Sequence, residues 1–184
     1  MATLSTTAWV LHELGLAAGF GGNLFGQLAL NPAVETIQSK RERGKVTHLA
    51  WDRFKAVNAT SLLLMAGTWL AGRTLLSGRE SGKTSRALTL TKDVLVGGAL
   101  VGGVGAMVCG RMLDKEVAVS NEPLQTGSRP AAETRKRVAD LQRLTNGFGR
   151  LNIVMNAAVL AVTTVLAMKS GQSTKWSFVS KLLP

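Results

Sequence analysis

Four apolar stretches separated by clusters of lysine and arginine restrict this chain more than any other feature. They run over residues 9–30, 54–76, 94–113 and 148–168. Each is about 20 residues long, enough to carry a helix across roughly 30 Å of hydrocarbon. Alternation of apolar and polar residues is absent and Ala, Leu and Gly dominate, so strands are not expected. A helix also satisfies its own backbone hydrogen bonds, as lipid requires. The expected fold is therefore all-α, an integral membrane four-helix bundle forming one transmembrane domain over residues 1–184.

Charge supports that reading. The formal net charge is +11 and the pI about 10.7. In a soluble protein this balance suggests nucleic acid. Here the charges avoid the apolar stretches and gather between them, where Lys and Arg meet anionic headgroups. Anionic lipids are the expected partners of the basic segments 31–53 and 114–147, and nucleic acid is not. Within the second segment, "AAETRKRVADLQRL" carries Val138, Leu141 and Leu144 at helical spacing beneath a basic face, which predicts a surface helix. The tail, 169–184, reads as interfacial through "STKWSFVSKLLP". Trp9, Trp51, Trp69 and Trp176 all fall near the ends of apolar stretches, as interfacial rings do.

The two long basic segments with their flanks hold 14 of the Lys and Arg residues, and the remaining parts hold 8. The positive-inside rule then places loops one and three in the cytoplasm and both termini opposite, in a multi-pass protein of the bacterial inner membrane type. The first seven residues are uncharged and the apolar stretch after them is too long for a signal-peptide core, so no cleavable leader is expected. The single cysteine, Cys109, excludes an internal disulfide and a cysteine-rich metal site.

An internal repeat is visible. Gly15, Gly19, Gly22 and Gly26 are spaced four, three, four, which makes one stripe on a helix. Gly98, Gly102, Gly105 and Cys109 repeat that spacing at an offset of 83. "FKAVN" at 54–58 matches "FGRLN" at 148–152 at an offset of 94, and the longer third loop absorbs the difference. A tandem two-helix unit whose copies enter the membrane in the same sense has its pseudo-two-fold axis along the membrane normal. Small-residue stripes let helices approach closely where lipid supplies no hydrophobic drive. The first and third helices are thus expected to pack tightly, with each other as one candidate pairing. The rival use of the stripe is a groove for a flat cofactor or a lipid tail.

Few residues offer chemistry. His12 lies on the glycine stripe, where a neutral imidazole beside open space suits haem or chlorophyll ligation. The bland alternative is an interfacial or helix-bonding histidine. A haem held between two histidines is not expected, because His48 belongs at the opposite membrane face. Glu13 is the most embedded acid, a candidate coupling residue for transport, though no second embedded acid forms a relay with it. Asn23, Gln27, Asn58, Asn152 and Asn156 read as interhelical hydrogen-bonding residues. "GRESGKTS" at 78–85 has three residues between its glycines where a phosphate-binding loop needs four, and it follows no strand, so it is read as a flexible basic loop.

No nucleophile–base pair, paired carboxylates or metal-ligand cluster appears, so neither an enzyme nor a soluble small-molecule substrate is expected. The leading expectation is an accessory subunit that packs against other subunits of a larger membrane complex, one handling electrons or light. No cofactor is firmly expected; bound lipid, or haem or chlorophyll at His12, are the candidates. The alternatives are an oligomeric transporter or channel using Glu13, and a tetrapyrrole carrier using His12.

Overall fold

The computed structural model of the chain describes residues 2–76, 83–120, 125–126 and 128–171. Among these the chain is 91% helical and holds no strand. Helix α1 spans Ala2–Phe25, α2 spans Lys40–Leu76, α3 spans Lys83–Ser120 and α4 spans Lys136–Gly171. They form two antiparallel hairpins. Helix α1 packs chiefly on α2, and α3 on α4, while α1 also touches α4 and α2 touches α3.

The helices run well past the apolar stretches. Helix α2 has 37 residues, about 55 Å, and takes in most of what the sequence suggests is loop one. The extension has a local cause: residues 40–53 contain no proline and mostly good helix formers. Likewise the expected surface helix is no separate element. Val138, Leu141 and Leu144 lie in the first turns of α4, with Val138 and Leu141 buried inside the protein and Leu144 53% exposed. Periodicity reports an apolar face but not whether lipid or protein covers it.

Asn31-Pro32, a pair that commonly ends a helix, does not stop the helical path here. The chain passes from α1 through a π turn, Gly26–Leu30, into Asn31–Ala33 and a 3-10 turn, Val34–Thr36. Pro32 sits in the first turn of the short segment, where its missing N–H breaks nothing. The wider turn is closed by the Asn31 N–H donating to the Gly26 carbonyl.

The glycine stripes face the partner helix of each hairpin rather than each other. A Cβ on Gly15 would lie 2.8 Å from the Ser61 carbonyl oxygen, and one on Gly22 would lie 2.3 Å from the Phe54 ring. In the second hairpin a Cβ on Gly98 would meet Met155 Sδ at 2.9 Å, and one on Gly105 the Phe148 ring at 2.7 Å. Gly19 sits against Ser61, Gly26 against the Trp51 ring and Gly102 against the Asn152 backbone. Cys109, at the end of the second stripe, is half-buried.

Two of the four helices, over Arg86–Val117 and Lys136–Met168, are long and apolar enough to cross a membrane. In both, only 22% of the apolar window is buried inside the protein. Side chains such as Val94, Val101, Val154 and Met168 point outward, as do Leu14, Phe25 and Leu63 on the first hairpin. The interior is correspondingly polar. His12, Asn23, Asn58, Ser61, Lys92, Gln142, Asn152, Asn156 and Thr163 are all buried, beside an apolar cluster of Leu16, Leu62, Met65, Val96 and Val159.

Loops one and three meet at one end of the bundle. Lys40 pairs with Glu133 at 3.1 Å, and Arg43 Nη1 donates to the Gln125 carbonyl at 2.7 Å. Arg135 and Arg137 flank Glu116, and Asn146 Nδ2 donates to the Ser128 carbonyl. The tail with Trp176 and most of "GRESGKTS" lie outside the described residues.

Candidate functional site

The buried polar residues fall into three groups along the bundle. At the end away from loops one and three, His12 sits 3% exposed between α1 and α2. Its Nδ1 lies 2.8 Å from the Met65 carbonyl oxygen, which can only accept, so Nδ1 carries the proton. Nε2 is then the acceptor, and it is buried without a partner. The Trp9 and Trp69 rings stand 6.4 and 6.3 Å from the imidazole. This tautomer is the one a metal ligand needs, but a macrocycle reaching Nε2 has to displace those rings.

Beside them is a residue that sequence reading missed. Lys92, on α3, is 0% exposed. Its ammonium lies 4.2 Å from the Trp69 ring centroid and 5.5 Å from that of Trp9, and it makes no hydrogen bond. Cation–π attraction of this kind is worth about 2 kcal/mol or more once desolvated. Glu13, with one carboxylate oxygen buried and unpartnered, faces the same region. Asp93 accepts from Trp69 Nε1 at 2.8 Å and pairs with Arg73 at 3.1 Å, holding the indole over Lys92. The available signal was a Lys–Asp pair at the very start of the third apolar stretch.

In the middle, asparagines bridge the hairpins. Asn23 Nδ2 donates to Asn58 Oδ1 at 3.0 Å, to Asn152 Oδ1 at 3.3 Å and to the Gly19 carbonyl at 2.8 Å. Asn152 Nδ2 donates to the Ala99 carbonyl, and Asn156 Nδ2 to Asn152 Oδ1. Gln27 Nε2 reaches Asn146 Oδ1 at 3.4 Å, while Asn31 accepts from Trp51 Nε1 at 3.0 Å. Each of the five amide residues singled out in the sequence thus has a polar partner, four of them on another helix. Asn156 is the exception, since its bond stays within α4.

At the loop one and three end lies a partly enclosed cavity of about 110 Å³. All four helices or their extensions line it. Trp51, Phe54, Met107, Leu113 and Val117 form apolar walls. Thr47, His48, Gln142, Lys55 and Asp114 are among the polar residues lining it. His48 Nδ1 lies 2.8 Å from Asp114 Oδ1, and Lys55 forms ion pairs with both Asp114 and Asp52. Burial, then the neighbouring Lys55 charge, push His48 below its ordinary value of 6.5 against the pull of Asp52. Thr47 Oγ1, His48 Nε2 and both amide atoms of Gln142 are buried without a hydrogen-bond partner. Sequence reading placed Thr47 and His48 in a basic loop and Gln142 on a surface helix, so their burial inside the bundle was not visible. The signal that existed was the unbroken helical composition of residues 40–55.

Among the described residues, no group of three or more His, Cys, Asp or Glu side chains is arranged to hold a metal ion. His12 and His48 lie at opposite ends of the bundle. Met65, the partner of His12, is 17 residues along α2 from His48, about 25 Å. No protein-family model, curated protein or solved structure matches this chain, so its role has to be argued from this geometry.

Proposed function

We propose that the chain is a multi-pass membrane protein whose four helices all cross the bilayer, and that it serves as a non-enzymatic accessory subunit of a larger membrane complex. One observation carries the membrane reading. The apolar windows of α3 and α4 are only 22% buried, while asparagines, a lysine and a histidine fill the interior. A core helix of a soluble protein hides its apolar face, and an inverted distribution suits lipid as the outer solvent. The extensions beyond the hydrocarbon, with Lys40, Arg43 and Arg135, form a basic end suited to anionic headgroups and to cytoplasmic orientation.

The duplication is supported by paired contacts. Gly22 on Phe54 corresponds to Gly105 on Phe148, and Gly15 on Ser61 to Gly98 on Met155, at the offsets of 83 and 94 seen in sequence. Two such hairpins entering in the same sense have a pseudo-two-fold axis along the membrane normal. The exposed apolar surface leaves room for neighbouring subunits as well as lipid.

Two measurements test the proposal. The protein should stay in the membrane pellet after an alkaline carbonate wash, and release into the supernatant refutes the membrane reading. Native purification in mild detergent, followed by mass spectrometry, should recover the chain with other membrane subunits. Their identity decides whether the complex handles electrons or light. Recovery as a lone small oligomer refutes the accessory role.

A second reading is favoured by the polar column itself. Lys92, Glu13 and His12 at one end, the asparagines between, and His48 with Asp114 at the other suit a small oligomeric transporter. It requires that Glu13→Gln abolish transport in proteoliposomes without loss of fold. The accessory reading requires that the same change alter little.

A further inference from the structure

The cavity between the helix extensions has the features of a binding site. Its volume, about 110 Å³, is several times the 10–15 Å³ that one water molecule needs by this measure. Its walls are largely apolar, and unpartnered polar groups reach it from α2 and α4. Gln142, on α4, is 2% exposed and both its amide oxygen and nitrogen lack partners. Thr47, on α2, is 6% exposed and its hydroxyl is likewise unpartnered. Leaving such groups unmet costs about 1–3 kcal/mol each, so a site that keeps three of them together is poised for a ligand that meets them.

The chemistry of the ligand follows from the partners. The charges that line the cavity are already matched, because Lys55 pairs with Asp114 and Asp52. A charged ligand gains no counter-ion there, so a neutral one is favoured. His48 Nδ1 faces the Asp114 carboxylate, which can only accept a hydrogen bond. Nδ1 therefore carries the proton, and the neutral ring presents Nε2 as an acceptor. Burial and Lys55, which push its proton affinity down, favour that neutral ring. A ligand must then offer a donor to His48 and an acceptor to the Gln142 amide N–H or the Thr47 hydroxyl. A hydroxyl group does both. Phe54, Met107 and Leu113 accommodate an apolar ring or chain next to it.

We propose that this cavity binds the head of a neutral, hydroxyl-bearing amphiphile, held between His48 Nε2, Gln142 and Thr47. The inference rests on the membrane reading for the source of the ligand, which would enter from the bilayer.

The test uses the full chain in phosphatidylcholine nanodiscs, with binding followed by equilibrium dialysis. The probes are a short-chain alkyl hydroquinone kept reduced under argon, its dimethyl ether, and a monoacylglycerol. The expected result is saturable binding at one site per chain for a hydroxylated probe. The ether, which has no donor for His48, should bind at least tenfold more weakly. Gln142→Leu and Thr47→Val should each weaken binding by a similar factor, while Thr163→Val, buried on α4 outside the cavity, should not. Tighter binding of the hydroquinone identifies an aromatic source, and tighter binding of the monoacylglycerol identifies a lipid source.

Partitioning without saturation, equal binding of the ether, or unchanged binding by a folded Gln142→Leu or Thr47→Val variant overturns the proposal. The carbonate wash keeps the two failures apart. A chain washed off the membrane loses the membrane reading, and dialysis of that soluble protein with the same probes still decides the cavity.

Discussion

Changing Gly102 to alanine should destabilise the protein, whereas the same change five residues earlier, at Gly97, should stabilise it. A Cβ at position 102 would lie 2.7 Å from Asn152 N and 3.0 Å from both Asn152 Cα and the Phe148 carbonyl oxygen. All three are backbone atoms of α4, so no rotamer change relieves the clash and the two helices must separate. Overpacking of this kind costs about 1–3 kcal/mol. The greater helix propensity of alanine returns about 0.5–1 kcal/mol, leaving a net loss of roughly 1–2 kcal/mol. Gly97 has nothing within 4 Å of its Cβ position, so there only the propensity gain remains. Since the propensity gain is common to both, the two variants should differ by the overpacking cost, about 1–3 kcal/mol, a factor of roughly 5 to 150 in the folding equilibrium. Unfolding of the full chain by SDS in mild detergent, followed by circular dichroism, measures both. Equal stabilities, or a more stable Gly102→Ala, would show that α3 and α4 do not approach as described.

Three further changes probe the interior. Asn152→Ala removes the acceptor of Asn23 and Asn156 and the donor to Ala99, and should cost about 1–2 kcal/mol in the same unfolding assay; a change within error would mean that the amide bridge carries no stability. Lys92→Met replaces an ammonium that has no hydrogen bond with an apolar chain of similar length, so stability should hold or rise; a large loss would show that cation–π contact outweighs the cost of burial. For pH, the groups facing His48 are Asp114, Lys55 and Asp52, and its proton affinity in the fold is below the ordinary 6.5. The unfolded chain then takes up the proton first, so this contribution is complete above pH 6.5 and is lost as pH falls through the lower folded value. Stability measured from pH 7.5 downward should therefore decline below 6.5, and His48→Gln should flatten that decline; an unchanged slope in the variant contradicts the assignment.

How much of this was legible in sequence depended on the kind of signal. The helical class and the four apolar stretches follow from length and composition, and two of those stretches lie in helices that meet the requirements of a membrane span. The glycine spacing pointed to close packing because only glycine tolerates backbone contact at such distances. It could not name the partner, and each stripe turned out to face the neighbour in its own hairpin. Helix ends were misread wherever charge was taken to mean loop. Residues 40–53 are basic yet helical, since Lys, Arg and Glu are good helix formers and nothing breaks the run, and the helix expected around Val138, Leu141 and Leu144 is the buried start of α4 instead of a separate surface element. That error hid the cavity, to whose polar lining the extensions of α2 and α4 contribute Thr47, His48, Gln142, Thr145 and Asn146.

By itself, then, the sequence determined the helical class, the apolar stretches with charge between them, the candidate duplication and the scarcity of catalytic groups. These depend on residue type and on spacing along one helix, which a linear pattern preserves. The tertiary structure decided which faces meet. It brought Lys92 of α3 over Trp69 of α2 and beside His12 of α1, and it set His48 and Asp114 together across 66 residues of chain. Such neighbours are chosen by how two helices cross, and no periodicity within a single helix records that.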